Sequence, residues 1–541
     1  MDRLLDLTTP SLVSSAAEAF GAQPAVVTET GAVSFAELAD EVRKAAAGFM
    51  ALGVERGDHV AIWAPNSLEW IIACLGLQCA GAVLTPINTR YRGDEAGHIL
   101  SRSQAKALVT VGDFLGVDYL ALLEGQDLPK LQSFILLDEG PRGLSWPQFL
   151  KDGARIEGSA VAQRMGHVGP ADYADLLFTS GTTGRPKGVR MTHRQDLDTY
   201  RAFSGVVDLQ RGDRYLIVNP FFHAFGYKAG ILASLLVGMT IYPRAVFDAE
   251  EVMGQIERER ITVFPAAPSV YQMMLDHPRF RRFDLSSLRS SVTGAASVPV
   301  ELVRRMRSEL GFRNIHVGWG LTEACGVGTM TRIGDPPEVV ANTVGPALYP
   351  ELELRVAGPE GEALPAGEQG ELMLRGMSVM EGYFDDPAAT AEALDGEGWL
   401  HTGDIGVLDE SGYLKVTDRK KDMFIVGGFN AYPAEIESIM LGSPQISQVA
   451  LVGVPDHRLG EVGVAFVVAR PDASPSEAEI IEWCKNRMAN FKAPRRVFFC
   501  AALPMNASNK VLKHQLKEEA TRRLESRAVR AGSEPTRGNE E

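Results

Sequence analysis

The run TSGTTGRPKG at 179–188 constrains this chain more than any other stretch. It packs three glycines, four hydroxyl side chains and Lys187 into ten residues. Glycine lets backbone approach a ligand closely and adopt positive φ, while Thr179, Ser180, Thr182 and Thr183 offer O–H donors and Lys187 a fixed positive charge. Phosphate is the natural guest of such a loop. A Walker A loop needs Gly-Lys-Ser/Thr after a four-residue gap, whereas here Pro186 precedes the lysine and Gly188 follows it, so a P-loop NTPase is excluded. The apolar run at 176–178 reads as a strand, which puts the loop at the end of a strand in a layered α/β fold, where ligand loops belong.

The rest of the chain fits that frame. Ser34 and Glu37 form a capping box, and Leu38, Val42, Phe49 and Leu52 follow at helical spacing until Gly53. VAIWAP, LLFTS, YLIVNP and ITVFPA read as strands alternating with helices, the pattern of a mainly parallel sheet. The long apolar stretches 70–84 and 229–242 fall short of the ~20 residues that span a bilayer and read as buried helices. From residue 351 the texture changes to short β pieces broken by Gly-Glu and Pro-Glu turns. After residue 418 come a helix near 434–441, strands VALVGVP and GVAFVVA, a helix near 477–488 and a strand RVFFC, an α+β unit.

At 541 residues the chain exceeds what one core fills, so at least two domains are expected. The net charge of −15 excludes nucleic acid as a natural partner, since a phosphate backbone demands a basic surface. Five cysteines form neither a CxxC pair nor a Cys/His metal spacing and read as free thiols. The N-terminus lacks a secretory signal, so a cytoplasmic location is expected. The polar end from residue 521 reads as a disordered tail.

Six further motifs stand in order behind the loop: PFFHAFG from Pro220, GWGLTE from Gly318, GYFDDP from Gly382, WLHTGD from Trp399, DRKKDMFIVGGFNAYPAEIE from Asp418 and PMNASNKVLK from Pro504. With these the chain resembles, over its whole length, the adenylate-forming superfamily of acyl-CoA synthetases, peptide-synthetase adenylation domains and beetle luciferases. NPFFHAFGYKAGI and the segment from Asp418 are most similar to actinobacterial fatty-acid and steroid-degradation CoA ligases, among them those acting on a bicyclic indanedione propanoate.

The resemblance implies a large N-terminal domain, 1–418, of α/β subdomains closed by a small distorted β-barrel, then a mobile α+β domain, 419–520, and the tail 521–541. It implies ATP and CoA as co-substrates, Mg²⁺ as cofactor, and a carboxylic acid activated as acyl-adenylate before transfer to CoA. Thr179, Ser180, Gly181, Thr182, Thr183, Gly184 and Lys187 match the phosphate clamp. Gly294, Ala295, Ala296, Trp319, Gly320 and Thr322 match the adenine and acyl-adenylate walls, with Trp319 where tyrosine is commoner. Glu323 matches the metal-binding glutamate, Asp404 and Arg419 the ribose contacts, and His223 the gate between acyl pocket and CoA channel. Lys510 matches the adenylation lysine, with Asn509 where glycine is usual, Lys421 the hinge, and Gly427 and Gly428 the pantetheine channel. A non-catalytic nucleotide- or acyl-binding protein and a luciferase-like oxygenase stand as the alternatives.

Overall fold

The computed structural model describes residues 8–138, 142–179, 186–294, 298–419, 422–426, 429–456, 458–505 and 511–532. By contact density the chain divides into two units. One comprises 1–354, 373–401 and 411–414, the other 355–372, 402–410 and 415–541.

The first unit is built on a seven-stranded sheet in the order Lys187–Thr192, Tyr173–Thr179, Val83–Pro86, His59–Trp63, Ala107–Thr110, Ser133–Leu136, Leu144–Ser145. All neighbours run parallel except Lys187–Thr192, which turns back antiparallel on Tyr173–Thr179. Parallel strands are covered on both faces, and His59–Trp63 accordingly reads as an unbroken apolar run buried from Val60 onward. The capping box forms: Ser34 Oγ accepts from the Glu37 N–H at 3.2 Å and the Glu37 carboxylate accepts from the Ser34 N–H at 2.8 Å, starting the helix Phe35–Ala51. Leu38, Val42 and Phe49 bury its inner face against the helix Leu68–Cys79, whose Gly76 approaches so closely that an added Cβ would lie 2.6 Å from Ala45 Cβ.

A second sheet runs Arg214–Ile217, Thr240–Pro243, Pro24–Thr28, Gly31–Ser34, and a third runs Ser290–Gly294, Asn314–Trp319, Thr329–Met330. The strand expected at ITVFPA is reduced to one residue, Val263, which bridges Tyr215 on one side and Ser290 on the other. Pro265 within the segment and Pro268 just beyond it each remove a ladder donor. Both apolar stretches read as helices are composite. Residues 68–79 are helical and Val83–Pro86 is a strand, while 229–242 contains the end of a π-helix, Tyr227–Leu232, a short helix, Ala233–Val237, and the strand Thr240–Pro243. Gly81 at φ 82° and Gly238 at φ 84° make the reversals that uniform hydrophobicity hides.

In the second unit, Glu353–Ala357, Gln369–Arg375, Leu400–Leu408 and Leu414–Arg419 form a four-stranded sheet to which this unit contributes the greater part. A further sheet has the long hairpin Ile446–Asp456 and Gly460–Ala469 at its centre, with Arg496–Phe499 parallel beside the latter. Its two faces follow the two-residue period. Val449 and Leu451 pack toward Ile436, Met440 and Ile480, while Ala450, Val452 and Val454 pack toward Leu503, Leu516 and Ala520.

That second face corrects one expectation. The helix Lys513–Gly532 runs through most of the stretch read as a disordered tail. Leu516, Ala520 and Leu524 recur on one side of it against the sheet, and the Arg523 guanidinium lies 4.9 Å from the Phe498 ring centroid. Sparse apolar residues suffice when they share a face and their charged neighbours cover rings. The five cysteines are free, and all but Cys500 are buried. No helix among the described residues is long and apolar enough to cross a membrane.

Candidate active site

Thr179 and Lys187 face each other across the antiparallel pair Tyr173–Thr179 and Lys187–Thr192, and the Thr179 hydroxyl donates to the Lys187 carbonyl at 3.4 Å. The loop between them, with Ser180, Gly181, Thr182, Thr183 and Gly184, lies outside the described residues, as do Ala295, Ala296, Lys421, Gly427, Gly428 and Lys510.

Gly294 ends its strand in parallel register with Gly318, and a Cβ at Gly294 would lie 2.6 Å from the Gly318 carbonyl oxygen. The glycine is thus required by close backbone approach. Trp319 follows, half-buried, and its carbonyl accepts from the Gly328 N–H at 2.8 Å. A Cβ at Gly320 would meet the Gly326 carbonyl oxygen and Val327 Cα at 2.5 Å each, so the chain folds flat here before the one-turn 3₁₀ segment Thr322–Ala324. Cys325 closes that turn in the left-handed region at φ 59°.

This turn stands on a buried polar cluster. Lys228 Nζ lies 2.6 Å from the Asp196 carboxylate, 2.9 Å from that of Asp175 and 3.9 Å from Cys325 Sγ, while Cys325 Sγ lies 3.2 Å from Asp196. Lys228 and Asp175 are 1% and 0% exposed. Desolvation first, and the neighbouring Asp196 charge second, push the Asp175 carboxyl far up. Desolvation acts to lower the Lys228 pKa, but the carboxylates beside it outweigh that and raise it. Burial thus disfavours a second negative charge beside Asp196, while the same neighbours favour the ammonium of Lys228. Tyr200 adds a hydrogen bond from its hydroxyl to the Cys325 carbonyl at 3.0 Å.

His223 caps the first turn after PFF: its Nδ1 accepts from the Phe225 N–H at 3.2 Å, which leaves the ring proton on Nε2. A Cβ at Gly226 would lie 2.1 Å from the Pro220 carbonyl oxygen, so this tight loop needs its glycine. Phe221 and Tyr227, on either side, are fully buried around Trp70.

Above the turn, the Tyr383 hydroxyl donates to Glu323 Oε1 at 2.8 Å, and Lys187 Nζ lies 5.0 Å from the centroid of the same ring. Burial, then the Glu323 charge, raises the Tyr383 pKa, so its hydroxyl is a donor. GYFDDP stands out as a motif, yet nothing in the sequence singles out Tyr383, because the two charged groups beside it come from distant parts of the chain. Met380 N–H donates to the Glu323 carbonyl at 2.8 Å and Phe384 N–H to the Gly188 carbonyl at 2.8 Å, tying the segment to both motifs.

Two of the nominated groups, Lys187 and Glu323, are thereby gathered around one tyrosine; Thr179 lies opposite Lys187 on the paired strand, Trp319, Gly320 and Thr322 run into Glu323 along the chain, and Gly294 sits beside Gly318 on the neighbouring strand. Asp404 and Arg419 belong to the second unit, on the adjacent strands Leu400–Leu408 and Leu414–Arg419; Asp404 is buried and its N–H donates to Thr402 Oγ1 at 3.1 Å. Among the described residues no group of three or more His, Cys, Asp and Glu is placed to hold a metal.

Comparison with known proteins matches residues 13–384 to the family described as AMP-binding enzyme and 435–510 to the AMP-binding enzyme C-terminal domain. A (7a-methyl-1,5-dioxo-octahydroindenyl)propanoyl:CoA ligase of Rhodococcus jostii is 47% identical over 523 residues, covering 95% of this chain and 98% of that one. The ligase of the same name from Mycobacterium tuberculosis is 48% identical over 511 residues, covering 94% and 98%. Among solved structures, the anthranilate CoA ligase AuaEII in complex with anthranoyl-AMP superimposes with a TM-score of 0.87 at 27% identity, over 96% of this chain and 98% of that one.

Proposed function

Since the chain belongs to the AMP-binding enzyme family and is an ATP-dependent, AMP-forming acyl-CoA synthetase, we propose that the acid it activates is a bicyclic, ketone-bearing propanoate of the kind for which two full-length relatives are named. The observation that carries this reading is the extent of the likeness, 47% and 48% identity in alignments covering 95% and 94% of the chain. A cytoplasmic location belongs to the same reading.

No protein nucleophile is needed. A carboxylate oxygen of the acid attacks the α-phosphorus of ATP and pyrophosphate leaves with the bridging oxygen; CoA sulfur then attacks the acyl carbon, loses its proton to water, and AMP leaves. Positioning and charge stabilisation supply the rate. Lys187 and the donors of 179–184 hold the departing phosphates. Glu323 is a hard carboxylate that belongs to no group of three or more metal-ligating side chains among the described residues, which fits Mg²⁺ held partly by phosphate oxygens and water. Bound there, Mg²⁺ would neutralise phosphate charge.

In this reading Trp319 stacks on adenine, Thr322 and the 294–296 backbone line the adenylate, and Asp404 and Arg419 take the ribose hydroxyls. His223 gates the acyl pocket, and Lys510 bridges carboxylate and α-phosphate. The boundary at 418/419, with its hinge at Lys421, lets the C-terminal domain rotate so that Gly427 and Gly428 line the CoA channel.

The test is pyrophosphate release and acyl-CoA formation across bicyclic propanoates, aromatic acids and fatty acids of matched size. We expect kcat/KM for the bicyclic propanoate to exceed the others by ~10-fold or more, as expected for a shaped pocket. A preference for straight chains would overturn the acyl assignment.

A further inference from the structure

Opposite charges left free in a cleft pair with each other. Lys187 and Glu323 come from motifs 136 residues apart and converge on the same side chain, yet among the described residues no ion pair joins them. Tyr383 stands between. Its ring face receives the Lys187 ammonium at 5.0 Å and its hydroxyl donates to Glu323 Oε1 at 2.8 Å. Each charge is thereby satisfied without being neutralised, because a cation on a ring face keeps its charge and a carboxylate that accepts one neutral hydrogen bond keeps its second oxygen.

The tyrosine is itself firmly held. Its N–H donates to Thr390 Oγ1 at 2.9 Å, and residue 383 pairs with Val189 as an isolated antiparallel bridge. Met380 and Phe384, on either side, hydrogen-bond through their N–H groups to the backbones of Glu323 and Gly188, both at 2.8 Å. The segment 380–384 thus acts as a strap from the metal-binding turn to the phosphate-loop strand, and Tyr383 projects from its middle.

We propose that Tyr383 is a positioning residue that spaces Lys187 from Glu323, turning one Glu323 oxygen toward the metal and holding the Lys187 ammonium apart for the phosphates. This rests on the reading of Lys187 and Glu323 as the charged partners of metal and nucleotide. A carboxylate oriented in this way meets the metal without first breaking a salt bridge, and an ammonium held on a ring loses less side-chain freedom when phosphate arrives.

The experiment separates the two contacts by binding rather than turnover. Mn²⁺ affinity in the presence of α,β-methylene-ATP is read from the free-Mn²⁺ electron paramagnetic resonance signal, and affinity for the same nucleotide in EDTA by calorimetry. Tyr383→Phe keeps the ring and loses the hydroxyl: we expect Mn²⁺ affinity to fall by ~10-fold or more, as partners of metal ligands typically do, with metal-free nucleotide affinity unchanged. Tyr383→Leu loses both and should weaken nucleotide binding in EDTA as well. Glu323→Gln reports on the underlying site. If Glu323→Gln weakens Mn²⁺ binding and Tyr383→Phe leaves it at the wild-type value, the spacer role is overturned while the site stands. If Glu323→Gln has no effect on Mn²⁺, the site reading itself fails. Equal losses in both assays for Tyr383→Phe, with a lowered melting temperature, would make the residue structural only and likewise overturn the proposal.

Discussion

His193 illustrates how much a single buried group can decide. Its Nδ1 accepts from Thr9, whose Oγ1 lies at 3.0 Å and N–H at 3.3 Å, pinning the helix Thr9–Phe20 to the start of His193–Val207. Desolvation lowers the imidazole pKa to about 4, against the opposing pull of Asp196 and Asp172. The unfolded chain, with histidine near its ordinary 6.5, therefore binds the proton first as pH falls. Stability from this group is intact above about pH 6.5 and lost progressively toward pH 4, by about 3 kcal/mol in all. Denaturant titrations at stepped pH should show that slope in the wild type and a shallower one in His193→Gln; parallel slopes would mean that the proton is taken up without cost. Glycines were legible at this scale, since Gly294 and Gly320 sit where backbone meets backbone. Tyr383 was not, because its importance lies in what converges on it from elsewhere in the chain.

At the scale of elements, the π-helix Tyr227–Leu232 is the least expected piece and carries Lys228 into the core beside Asp175 and Asp196. The sequence reads 229–242 as one buried helix from its unbroken apolar run, and Lys228 lies just outside that run. The structure instead joins four segments through that ammonium: the strand Tyr173–Thr179, the helix His193–Val207, the π-helix and the turn ending in Cys325. Removing one partner of such a pair leaves an uncompensated buried charge, so Lys228→Met should cost about 3–5 kcal/mol. The double variant Lys228→Met with Asp196→Asn should recover part of that loss, because the orphaned carboxylate is gone. Thermal unfolding of Lys228→Met, Asp196→Asn and the double variant checks this; additive losses would show that the groups act independently.

For the whole molecule, two compact units carry different parts of the nominated chemistry, with Lys187 and Glu323 in the first and Asp404 and Arg419 in the second. In our reading Lys510 serves adenylation alone, since the C-terminal domain carries it away before CoA reacts. Lys510→Ala should then lose roughly 10²–10³ in pyrophosphate release while retaining acyl-CoA formation from pre-made acyl-adenylate. Both assays on one purified variant decide it; loss of the second reaction as complete as the first would refute the division of labour.

Ordered motifs by themselves determined the family and its adenylate-forming chemistry and nominated the site residues, because a close approach to phosphate or to another backbone demands particular residue types locally. The strands of the 446–469 hairpin were legible from their apolar runs, VALVGVP and GVAFVVA. Only the tertiary structure decided that ITVFPA contributes a bridge rather than a strand, that residues through Gly532 are helical, and that Lys228 is interior. Each of these depends on partners distant in sequence: a ladder from two other strands, rings that accept Arg523, and carboxylates that keep an ammonium charged away from water. Local composition cannot report such partners, since their free energy exists only after the chain has folded.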